Sequence, residues 1–115
     1  MKYSKNKKLN TLLNCIESSI INAFSYYADG REKGRGIIDN IECYKKTFPK
    51  ELDYNVAQHA NLLIYFSDVR ELYRNCGYKI TEKFSGSKIW ETYRRHVGYV
   101  CNEILLRKTE FIAQF

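Results

Sequence analysis

The stretch SGSKIWETYRRHVGYVCNEILLRK, residues 85–108, decides the fold. Ile89, Trp90, Tyr93, Val97, Val100, Cys101, Ile104 and Leu105 recur in steps of one, three and four, which places them on one side of a helix. Ser85 or Ser87 supplies the N-terminal cap, and about 23 helical residues run roughly 35 Å, the length of a small domain. A helix of that length needs apolar partners, and the rest of the chain provides them.

Upstream, Leu9, Leu12, Leu13, Ile16, Ile20, Ala23, Phe24 and Tyr27 predict an amphipathic helix over residues 8–28, stopped by Asp29 and Gly30. The segment 31–36 carries Arg31, Lys33 and Arg35 with Gly34 and Gly36 and no apolar side chain, so it reads as a flexible, exposed, basic loop. Ile37, Ile38, Ile41, Tyr44 and Phe48 return to helical spacing until Pro49 bars continuation. Asp53 then caps a long third helix over 54–76, closed by Gly77. Its two apolar stripes, Val56, Ala60, Leu63 and Ile64 against Leu62, Phe66, Val69 and Tyr73, predict a central position. A weak alternation over 78–84 allows a short extended segment. The expectation is an all-α bundle of about four helices, with residues 1–8 as a flexible basic tail and 9–115 as one domain.

With 115 residues and 44% hydrophobic content, the chain has room for one packed core. The longest apolar run is 62–66, far short of the roughly 18 residues of a membrane span. The basic start, Met1 to Lys5, leads into no long apolar block with a cleavage site, which predicts a cytoplasmic protein. Lys2, Lys5, Lys7 and Lys8 carry four of the six net positive charges, leaving the body near balance. Lys, Ile, Tyr, Asn and Phe, all spelled by A/T-rich codons, make up 48 of the 115 residues, as expected for a phage or plasmid of a low-GC host.

Cys15, Cys43, Cys76 and Cys101 are too widely spaced for the close pairs of a structural zinc site, so they read as free and mostly buried thiols. No phosphate-cradling, metalloprotease or nucleophile-elbow motif is present. Arg94 and Arg95 stand only two and one residues before His96, so no helix face offers a cation and a proton carrier together, and His59 reads as a hydrogen-bonded core residue. Tyr99 beside that cluster resembles a DNA-cleaving tyrosine only superficially, since ten tyrosines make such a neighbour ordinary. A non-enzymatic protein without metal or cofactor is expected.

What remains is the placement of cations and aromatics. Residues 78–95 hold Lys79, Lys83, Lys88, Arg94 and Arg95 with Tyr78 and Tyr93 interleaved, a face suited to phosphates and bases, and Arg31, Lys33 and Arg35 extend it. The connection over 48–53 is too long for a helix-turn-helix. The expected function is nucleic-acid binding, DNA ahead of RNA, by a small accessory protein. The alternative is a protein-interaction module, because the 15% aromatic load, with Tyr26, Tyr27, Tyr65, Phe66, Phe111 and Phe115, also suits a docking surface or a homodimer.

Overall fold

Helix α5, Ser87–Leu106, is the axis on which the other elements pack. The computed structural model describes residues 1–25, 30–59, 65–81 and 87–115. Around α5 stand α1 (Lys7–Phe24), α2 (Gly30–Thr47), α3 (Leu52–His59), α4 (Phe66–Asn75) and the short α6 (Lys108–Ile112). Each of the five touches α5, and α3 does so most extensively. The described residues contain no strand, so the fold is all-α. Its radius of gyration of 14.0 Å is close to the ~13 Å of a compact chain of this length.

The apolar side of α5 goes inward as its spacing predicts: Ile89, Tyr93, Val97, Val100, Cys101 and Ile104 are buried against Leu12, Leu13, Ile16 and Ile20 of α1 and Ile37 and Ile41 of α2. Val56 of α3, Val69 and Tyr73 of α4 and Phe111 of α6 complete the core. Gly77 ends the α4 turn at φ 91°. There Tyr78 N–H donates to the Tyr73 carbonyl at 3.0 Å and Gly77 N–H to that of Arg74 at 2.9 Å, the paired bonds of a left-handed helix stop.

Four expectations are corrected. Residues 1–6 are docked, with Tyr3 only 8% exposed. Asn10 Oδ1 accepts the N–H groups of Tyr3 at 2.7 Å and Ser4 at 3.2 Å, while Arg107 donates to the Lys2 carbonyl at 2.9 Å. Polar side chains of α1 thus replace water for the segment's backbone, which apolar periodicity does not reveal. Residues 31–36 are helical, as the first turns of α2, and Gly30 begins that helix instead of ending the previous one. A Cβ on Gly34 would lie 3.2 Å from Ile112 Cα and 3.1 Å from Phe115 Cδ2. Tertiary packing on the α6 end therefore overrides the ~1 kcal/mol per glycine of poor helix propensity.

The span read as one helix over 54–76 holds two, α3 and α4, with residues 60–64 between them outside the described residues, and α5 takes the central place. Asp53 lies inside the first turn of α3 instead of capping it. Lastly, the thiols are not uniformly buried: Cys101 is buried, Cys15 and Cys76 are half-buried, and Cys43 is exposed. The Cys76 thiol meets that of Cys15, and burial followed by that contact pushes it up to about 11. Tyr78 to Ile80 form neither helix nor strand, and 82–84 of the expected extended segment lie outside the described residues.

Candidate nucleic-acid interface

The site begins with a glycine. A Cβ on Gly98 would stand 3.0 Å from Asp53 Cβ, so the absent side chain is what lets the first turn of α3 lie directly on α5. On a helix, positions three and four residues away share a face, so Arg94, Arg95 and Asn102 frame this contact. The chain arrives there from α2 through a tight turn in which Glu51 N–H donates to the Phe48 carbonyl at 3.1 Å, with Pro49 and Lys50 at its centre. The end of α2 and that turn bring Lys45 and Lys50 into one groove with Arg95 of α5. The result is a groove of about 490 Å³ lined by Lys45, Lys50, Asp53, Arg95, Tyr99 and Asn102, with Pro49, Leu52 and Gly98 beneath.

Its electrostatics follow from one pairing. Arg94 Nε stands 3.8 Å from Asp53 Oδ2, and its guanidinium lies 5.1 Å from the Tyr54 ring centroid. Asp53 is thereby offset by a cation outside the groove. Among the described residues no carboxylate forms an ion pair with Lys45, Lys50 or Arg95. Three positive charges without an ion-pair partner among the described residues therefore line one concave surface, two as point charges and one as a planar fork suited to phosphate oxygens.

A second groove of about 500 Å³ is lined by Tyr3, Ser4, Leu9, Leu13 and His96 and shares Arg95 and Tyr99 with the first, so these two side chains form the ridge between the grooves. Tyr99 is 43% exposed. Its hydroxyl donates to the Tyr3 carbonyl at 3.3 Å, and its ring meets that of Tyr3 edge-on at 6.4 Å between centroids. The docked N-terminal segment thus fixes the orientation of the exposed ring.

His96 is held differently. Its Nδ1 is 2.6 Å from the Tyr73 hydroxyl, and the two rings stack at 5.9 Å. Burial and then the charge of Arg95 lower the His96 pKa, while burial above all raises that of Tyr73. The phenol keeps its proton and the imidazole is neutral, so the tautomer of His96 sets which of the two donates in this bond. His96 is therefore a neutral wall of the second groove and a tie between α5 and α4.

The expected site residues do not gather on one surface. Arg95 alone among them lines both grooves. Arg94 points to α3, about 100° around the helix from Arg95, and is half-occupied by Asp53 and Tyr54. Tyr93, expected to offer its plane to bases, is only 1% exposed and belongs to the core, because its position matches the inward stripe. Lys88 is exposed two turns before Arg95 on the same side of α5, and Lys79 is exposed beyond Gly77. On α2, Lys33 lies 5.9 Å from the Phe115 ring centroid and Arg35 is exposed, but two residues apart on a helix they face nearly opposite directions. The Arg31 side chain and all of Lys83 lie outside what is described, as does the side chain of His59.

Lys45, Lys50 and Asn102 carry no sequence expectation, and Tyr99 is weighed from sequence only as a cleaving nucleophile and not as a binding surface. A signal exists for two of them: 45–50 holds three lysines and no acid around the only proline. Among the described residues no three His, Cys, Asp or Glu side chains gather as a metal would need, and no helix is long and apolar enough to cross a membrane. Comparison of the chain with protein-family profiles, with curated proteins and with solved structures finds no match. The class defined so far is that of a small all-α domain with a cationic groove beside an ordered, exposed tyrosine.

Proposed function

We propose that this chain is a small non-enzymatic nucleic-acid-binding accessory protein, and that Arg95, Lys45 and Lys50 are the groups that take its phosphates. The observation that carries the reading is the convergence of these three cations on one groove, next to an acid already offset by Arg94. Phosphate contacts of this kind supply most of the affinity and make it depend on salt. The non-enzymatic part is supported by the roles of the chemically capable groups: His96 is neutral and bonded to Tyr73, and the Tyr99 hydroxyl is committed to a backbone carbonyl.

The alternative of a protein-docking module draws on the aromatic load, of which the fold uses Phe111 and Phe115. Phe111 is fully buried, Phe115 packs on Gly34, and Tyr26 and Tyr27 lie outside the described residues. Tyr65, 65% exposed, and Leu106 remain as large outward side chains away from the groove.

Titration of labelled DNA and RNA oligonucleotides at two or more salt concentrations tests the proposal, with molar mass measured in the same buffers to read any dimer. The triple replacement Lys45→Ala, Lys50→Ala, Arg95→Ala should leave the fold intact, since exposed charges contribute little to stability. It should flatten the slope of log affinity against log salt by about 2 to 3. An unchanged slope removes the site assignment. Failure of the parent protein to bind any nucleic acid at low salt removes the function.

A further inference from the structure

We infer that the nucleic acid taken by this groove is single-stranded, with one base stacked on the exposed ring of Tyr99 and the adjoining phosphates held by Arg95 and the Lys45–Lys50 edge. The inference rests on the nucleic-acid reading above and adds the form of the ligand and the residue that recognises it.

The shape of the site favours a single strand. Reading a duplex through its major groove requires a protruding helix or ribbon that enters a channel about 12 Å wide. Arg95 stands on α5, which is surrounded by all five other helices, and the cations around it line a recess. A convex duplex meets such a recess only at its rim, whereas a flexible strand follows it. The exposed aromatic favours the same ligand. Tyr99 lies on the ridge between two grooves of about 490 and 500 Å³, and both are walled by Arg95 as well. A strand crossing that ridge has a π-face for a base and a guanidinium for its backbone at the same step, the combination that single-strand binders use.

The ring is also ordered in advance. A free tyrosine loses rotamer freedom when a base stacks on it, but this ring is already held by its hydrogen bond to the Tyr3 carbonyl and its edge-on contact with the Tyr3 ring. The second groove then offers the base surroundings of matching polarity, with Leu9 and Leu13 as apolar wall and neutral His96 and Ser4 as polar edges. Duplex DNA keeps its bases stacked on each other and has no use for any of these features.

The test compares one oligonucleotide of about 20 residues as a single strand and as a duplex with its complement, by fluorescence anisotropy, on the full chain and on Tyr99→Leu and Tyr99→Phe. The parent should bind the single strand at least several-fold more tightly than the duplex. Tyr99→Leu should weaken single-strand binding about tenfold, the scale of one lost base stack, with the salt slope unchanged. Tyr99→Phe should keep most of the affinity, because it retains the ring and loses only the hydroxyl. Equal or tighter duplex binding, or unaltered single-strand binding in a folded Tyr99→Leu variant, overturns the inference while the proposed function stands. If Tyr99→Leu does not fold, the strand-against-duplex comparison on the parent decides alone. No binding of either form at low salt overturns the proposed function and this inference with it.

Discussion

Arg94 and Arg95 are adjacent in the chain and belong to different regions of the molecule. On the α3 side of α5, Arg94 leans over Gly98 to Asp53 and Tyr54, and its charge serves the packing of two helices. On the outer side, Arg95 has Lys45, Lys50 and Tyr99 for company and no carboxylate partner among the described residues. The 100° between successive helical residues separates a cation that holds the fold together from one available to a ligand. Basic clusters counted along a sequence merge the two kinds.

The outer side depends most on the N-terminal segment that supports it. Tyr3→Ala removes a nearly buried ring that also orients Tyr99. It should cost about 3 kcal/mol and lower the melting temperature by roughly 10 °C. A melting temperature within two degrees of the parent would show that residues 1–6 are not anchored through Tyr3.

A smaller effect sharpens the contrast itself. Arg94→Ala gives up a half-exposed ion pair and a cation–π contact, and should destabilise by about 0.5 to 1 kcal/mol, with the salt slope of nucleic-acid binding unchanged. Arg95→Ala should do the reverse, leaving stability unaltered and flattening the slope by about 0.7 to 0.9. Equal effects of the two replacements on both measurements would erase the distinction.

The smallest expected effect concerns pH. Burial holds the His96 pKa below its ordinary 6.5, so the unfolded chain takes up this proton before the folded one does. Stability from this group is therefore complete above pH 6.5 and declines as pH falls below it. Melting curves between pH 7.5 and 5.5 should show that decline, and His96→Gln should reduce it. An identical pH profile in the variant would mean that His96 is as accessible to protons when folded as when unfolded.

Legibility differed from element to element for physical reasons. The inward stripe of α5 is readable because eight apolar positions keep helical phase over five turns, and burial of that stripe dominates every competing preference. The segment 31–36 is unreadable by the same rule, since its glycines and cations favour no structure locally. Its helicity depends on Gly34 meeting the α6 end, a contact formed by residues almost eighty positions away. Tyr93 belongs to the stripe that defines the core, so its plane is not available to a base.

The candidate site divides along the same line. Arg95 follows from the sequence, because a helix whose apolar stripe runs through Ile89, Val97, Val100 and Ile104 must turn position 95 outward. Local patterning likewise settles the all-α class and the stops at Pro49 and Gly77, where a missing N–H and a positive φ act on their own residues. That Lys45, Lys50, Tyr3 and Tyr99 join Arg95 is a property of the tertiary structure alone. They come from α2, the turn before α3, the N-terminal segment and α5, and only close helix packing at Gly98 and the hydrogen-bonded docking of residues 1–6 bring groups so distant in the chain onto one surface.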